Sequence, residues 1–120
     1  MNRKIQLAWA AGFFDGEGCT YLCSGGARKR KTLRLCVWQK DPRPLRRFNR
    51  VVGYGTVYGP YASQGDMYEW VVQCDRAERV LALLWPYLSQ PKKEQAMAKL
   101  AEWDEQPGKR KTWAASGRAA

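Results

Sequence analysis

The sequence contains no histidine. That absence removes Ser-His and Cys-His nucleophile pairs and any histidine general base. Cysteine is sparse as well: Cys19, Cys23, Cys36 and Cys74 are scattered and form no CxxC pair, so no zinc site is expected and the thiols read as reduced fillers. No stretch approaches the roughly 20 apolar residues needed to span a bilayer, which argues against membrane insertion. The basic N-terminus runs into small residues without developing the long apolar segment of a secretory signal, so the chain reads as intracellular. Acidic residues are few, with 11 Asp and Glu against 21 Lys and Arg, a net charge of +10 that favours a polyanionic partner. Chemistry, if present, must rest on carboxylates, lysine, glutamine and a metal.

A chain of 120 residues is one domain by length, with room for a modest core. Residues 3–14 read as a helix that Asn2 can cap. Its small residues Ala8, Ala11, Gly12 and Asp15 fall on one stripe suited to a close helix contact, while Leu7, Trp9, Ala10, Phe13 and Phe14 form a bulky side suited to a core. Gly16 and Gly18 are expected to stop it. Cys19 to Ser24 alternate like a strand and lead to a glycine loop and the basic run Arg28, Lys29, Arg30, Lys31. From Thr32 the pattern puts Leu33, Leu35 and Val37 on one face and Thr32, Arg34, Cys36 and Trp38 on the other, a half-buried strand.

Pro42 to Val52 read as a second helix ended by Gly53 and Gly55. Thr56 to Tyr58 and Met67 to Gln73 form a hairpin whose second strand turns Tyr68, Trp70 and Val72 inward and Met67, Glu69, Val71 and Gln73 outward. Asp75 caps a helix from Arg76 to Leu88, and Pro91 opens a last helix carrying Met97, Leu100 and Trp103. Trp70, Trp85 and Trp103 read as core. A basic C-terminal tail over 107–120 follows a single domain over 1–106. The order predicts an α+β domain in which helices cover one face of a four-stranded, mainly antiparallel sheet. The other face is open and carries Tyr21, Thr32, Arg34, Trp38, Tyr58 and Glu69.

The segment AAGFFDGEG at Ala10 to Gly18 closely resembles the nine-residue signature of the LAGLIDADG homing endonucleases. Gly12, Asp15 and Gly18 match it outright; it departs mainly at Ala10, where leucine is usual, and at Glu17, where aspartate is common. The resemblance spans roughly residues 3–106 and implies that family's αββαββα domain with a saddle-shaped sheet. A single copy of the motif implies a homodimer that contacts its partner through Ala8, Ala11, Gly12 and Asp15, and symmetry then favours a palindromic or near-palindromic duplex DNA target. It implies a site-specific, Mg2+-dependent double-strand break, with Mn2+ able to substitute, and activity inside the cell with DNA, in a bacterial cytoplasm or an organelle.

By the same resemblance Glu17 and the Gly16 carbonyl hold metal, Asp15 braces the paired helices, and Gln39, Lys40 and Lys92 assist the reaction, with Lys93 as the neighbour that a one-residue shift would substitute. The extra methylene of Glu17 over aspartate can alter metal spacing and slow the enzyme. Alternation and family placement together give the base-reading candidates Tyr21, Cys23, Arg30, Thr32, Arg34, Cys36, Tyr58 and Glu69, with Trp38 beside them. Arg28, Lys29 and Lys31 join Arg46, Arg47, Lys109, Arg110 and Lys111 as phosphate contacts. The alternative within the same likeness is an RNA maturase or a DNA-binding protein that does not cleave.

Overall fold

A computed structural model of the chain describes residues 2–24 and 30–106. Helix α1 (Arg3–Glu17) is capped by Asn2, whose side chain accepts the Lys4 N–H at 2.7 Å. It outruns its expected end. Gly16 stays inside the helix, and Gly18 leaves it with an extended backbone while donating its N–H to the Phe14 carbonyl. No loop follows, because Gly18 already opens β1 (Gly18–Ser24). A carboxylate at Glu17 is therefore held at a rigid helix-to-strand junction.

β2 (Lys31–Gln39) pairs antiparallel with β1, Gly18 facing Val37 and Tyr21 facing Arg34. Helix α2 (Pro42–Val52) starts under Asp41, whose carboxylate accepts the Arg43 N–H at 2.9 Å, and stops at Gly53, where φ of 79° is the left-handed turn that glycine allows. β3 (Thr56–Tyr61) is longer than expected and is irregular between Tyr58 and Tyr61. β4 (Met67–Gln73) pairs with both β3 and β2, giving the order β1-β2-β4-β3 with every pairing antiparallel.

Helix α3 (Cys74–Leu84) begins one residue before the expected Asp75 cap, so Asp75 lies in its first turn. It also ends early: Pro86 lacks an N–H and crowds the preceding turn, and Trp85–Tyr87 tighten into a 3-10 turn instead. In α4 (Gln90–Asp104) the buried apolar positions are Ala96, Leu100 and Trp103, while Met97 is 40 % exposed and is not a core residue. Among the described residues no helix is long and apolar enough to cross a membrane.

The helices lie on the inward face of the sheet, where Leu33, Leu35, Val37 and Trp70 are fully buried. Phe48 of α2 joins the layers, stacking near Phe14 with 6.3 Å between centroids and meeting Trp70 edge-on at 4.7 Å. The Trp70 indole N–H finds Asn49 Oδ1 and the Tyr54 carbonyl, each at 3.1 Å, so burial leaves no orphaned donor there. Trp85 and Trp103 are buried as expected. The fold is the predicted α+β layer with one sheet face uncovered.

Candidate active site and nucleic-acid interface

The end of α1 gathers the polar groups with chemical potential. Glu17 is exposed on its last turn. Lys92, near the start of α4, reaches across and donates from Nζ to the Gly18 carbonyl at 2.8 Å, which sets its ammonium one residue from Glu17. Lys93 points elsewhere, its Nζ standing 5.9 Å from the Trp85 ring. Of the two adjacent lysines, it is Lys92 that joins this site.

Gly18 pairs with Val37, so Gln39, two residues further along β2, lies at the same end of the sheet as the tip of α1. Strand parity places it on the side of Val37, facing the helices. Lys40 follows it but is tied down, donating from Nζ to the Gly65 carbonyl at 2.6 Å. Among the described residues no three acidic or cysteine side chains cluster. What the site offers instead is one carboxylate beside the last carbonyls of a helix, among them Gly16, which lack intrahelical donors and form the negative end of the helix dipole. Hard oxygen donors of that kind suit Mg2+.

Asp15 turns toward its own chain. Its carboxylate accepts the Ser89 N–H and hydroxyl, each at 3.1 Å, and so ties α1 to the start of α4. The small stripe is also divided by the fold: Ala11 is fully buried in the chain's own core and is not available to a partner, whereas Ala8 and Gly12 are exposed beside Ile5. A Cβ placed at Gly12 or Gly16 would meet nothing within 4 Å. Trp9 and Phe13, read as core, lie partly exposed at its edge in a parallel stack at 5.4 Å.

The uncovered sheet face carries a row across three strands. Arg34 in β2 faces Tyr21 in β1 and Gln73 in β4. Its Nη1 donates to Tyr21 Oη at 3.3 Å; with the Gln73 amide turned to satisfy both groups, Nη2 and Nε donate to the Gln73 oxygen at 2.7 and 3.2 Å. Burial pushes the Tyr21 hydroxyl and the Glu69 carboxyl above their ordinary pKa values, with Arg34 pulling both back. Tyr58 faces Glu69 and is 49 % exposed, and Trp38 packs at an angle on Tyr61, 5.6 Å between centroids. Thr32 and Cys23 pair and are partly exposed.

Cys36 departs from expectation. It is on this face by parity, yet it sits between Cys19 and Val71 and is 7 % exposed, and burial pushes its thiol up to about 11. It is shielded from any ligand laid on the sheet. Lys31 is spent on Glu102, 2.5 Å away, while Arg30 is exposed. Arg46 and Arg47 lie on α2, on the covered side of the sheet, and Arg47 rests on the Trp9 ring at 3.8 Å rather than beside the open face. Arg28, Lys29, Lys109, Arg110, Lys111 and the tail fall outside the described residues. Sequence reasoning missed Gln73, Tyr61 and Ser89 as site partners; Gln73 shares the parity of Glu69, which was the available signal.

A helix-braced sheet with one uncovered polar face and a carboxylate at a helix-to-strand junction defines the class: an α+β domain of the homing-endonuclease fold. No family model matches the chain. A curated relative, the intron-encoded DNA endonuclease ai2b of Dictyostelium discoideum, is 30% identical over 80 residues, covering 67% of this chain and 30% of the relative. Among solved structures, the homing endonuclease I-CvuI in complex with the I-CreI target is 28% identical with a TM-score of 0.65, covering 82% of this chain and 64% of that one. The LAGLIDADG meganuclease I-AabMI bound to uncleaved DNA shares the fold at 22% identity and a TM-score of 0.61, covering 83% of this chain and 34% of that one. The chain thus spans under a third of its curated relative and about two thirds of the I-CvuI chain. The resemblance to the LAGLIDADG homing endonucleases carried by Ala10 to Gly18 holds in both sequence and fold.

Proposed function

We propose that this chain is a site-specific DNA endonuclease that works as a homodimer and cuts both strands of a palindromic or near-palindromic duplex. The observation that carries the reading is that Lys92 reaches the tip of α1, its ammonium 2.8 Å from the carbonyl of Gly18, the residue next to the exposed Glu17. Support for DNA as the ligand comes from the net charge of +10 and from neighbours solved in complex with DNA.

One chain brings a single carboxylate to the site. A second copy packed along Ile5, Ala8, Gly12 and Gly16 would bring its own Glu17 to the first. The two exposed glycines favour this arrangement, since each costs helix stability of about 1 kcal/mol relative to alanine and nothing in the chain itself requires the missing Cβ. Glu17 and the Gly16 carbonyl would hold a divalent cation, Mg2+ with Mn2+ as a substitute. When bound, such a cation supplies charge neutralisation and a more acidic water for phosphodiester hydrolysis.

The chain's own groups do the rest. Lys92 offsets negative charge as the phosphate becomes pentavalent. Gln39 orders water at the neighbouring strand end, and Lys40 holds the β3-β4 turn through Gly65 while keeping further N–H donors for phosphate. Asp15 acts at one remove, fixing the tip of α1 against α4.

Selection of cleaved sites from a randomised duplex library in Mg2+ tests the reading. Recovery of one symmetric site cut on both strands is expected. Absence of cutting in Mg2+ and Mn2+, with preference for structured RNA over duplex, would replace this function with RNA binding.

A further inference from the structure

We infer that Arg34 reads one guanine in each half of the target and that Gln73 is the residue that positions it. The inference rests on the duplex-binding function proposed above and adds a base identity to it. A free surface arginine is a flexible cation that suits any phosphate. Arg34 is not free: Tyr21 Oη takes one Nη1 hydrogen at 3.3 Å, and the Gln73 side-chain oxygen takes one Nη2 hydrogen at 2.7 Å and the Nε hydrogen at 3.2 Å. The two partners come from the strands on either side, so the guanidinium is held from both flanks in the middle of the uncovered face.

A guanidinium carries five N–H donors. Three are used, and one remains on each terminal nitrogen. Two parallel donors on adjacent nitrogens match the O6 and N7 acceptors of guanine in the major groove, and no other base presents two acceptors there. Among the described residues no carboxylate pairs with Arg34, so its charge stays available. Holding the fork in place beforehand lowers the ordering cost of recognition, which is the part Gln73 contributes without touching the base.

The test separates binding from cleavage: duplexes retained by the full-length protein are selected from a randomised library in chelator and sequenced. Wild type is expected to enrich guanine at one position, repeated symmetrically in both half-sites, by roughly 5- to 150-fold over the other bases. Arg34→Gln is expected to change that position alone from guanine to adenine, the base a glutamine pairs with. Gln73→Leu is expected to flatten the preference there to about twofold while the other positions keep theirs. If wild type enriches a site and Arg34→Gln enriches the same base at every position, the inference is overturned while duplex recognition stands. An equal loss at all positions in Gln73→Leu would make Gln73 merely structural and overturn its part. If wild type enriches no duplex sequence, duplex recognition and this inference fall together.

Discussion

The Phe14 ring lies flat against the backbone of Gly18, so close that a methyl group on Gly18 would overlap the ring carbons. The contact joins the last turn of α1 to the first residue of β1 and fixes where Glu17 sits between them. It gives the final glycine of the signature a steric reason that its extended backbone does not, since any residue can adopt φ of −89°. Gly18→Ala is therefore expected to destabilise the fold by about 1–3 kcal/mol through overpacking, read as a lowered urea midpoint.

Gly12 behaves in the opposite way. A Cβ there meets open space within the chain, so Gly12→Ala is expected to stabilise a monomer by about 0.5–1 kcal/mol through helix propensity. Gly12→Leu is expected to shift the protein from dimer to monomer in sedimentation and to lose cleavage together with assembly. A dimeric, fully active Gly12→Leu protein would break the link between the stripe and the reaction.

Asp15 and Glu17 should separate cleanly. Asp15→Ala removes the acceptor of the Ser89 N–H and hydroxyl and is expected to cost about 1–3 kcal/mol of stability, seen in thermal melting. Lys92→Met is expected to abolish cutting with the melting curve little changed, while Lys93→Met, whose ammonium lies over Trp85, leaves cutting intact.

Thiol chemistry checks the packing of the open face. With its thiol pushed up to about 11, Cys36 holds roughly 0.1 % thiolate at pH 8 and is further screened by burial. Because burial raises this pKa, its alkylation should quicken about tenfold per pH unit until pH approaches 11. The exposed Cys74 is expected to react first and Cys36 last at pH 8, followed by mass spectrometry.

Strand faces were the most legible part of the sequence. Alternation from Thr32 to Gln39 placed Leu33, Leu35 and Val37 inward, and each is fully buried. Alternation gives a face but not its crowding, so Cys36, flanked by Cys19 and Val71, could not be told from a solvent-facing residue. Helical spacing was ambiguous in the same way. The set 97, 100, 103 and the set 96, 100, 103 both suit one helix face, and only packing on the sheet selected Ala96 over Met97. In α1 the stripe spans about a quarter turn, and the core claimed Ala11 at one edge while leaving Ala8 and Gly12 at the other. The motif marked Glu17, but Lys92 gains its place only through an interaction across 74 residues of sequence.

Glu17 is expected to act in cleavage and not in holding the duplex. The direct measurement compares wild type with Glu17→Gln on one selected target duplex, following retention in a gel and Mg2+-dependent strand scission in the same samples. The Glu17→Gln protein is expected to bind within about twofold of wild type and to cut neither strand, the outcome that the proposed metal-holding role of Glu17 requires. Mg2+-dependent cutting at the wild-type rate by that variant would contradict the account.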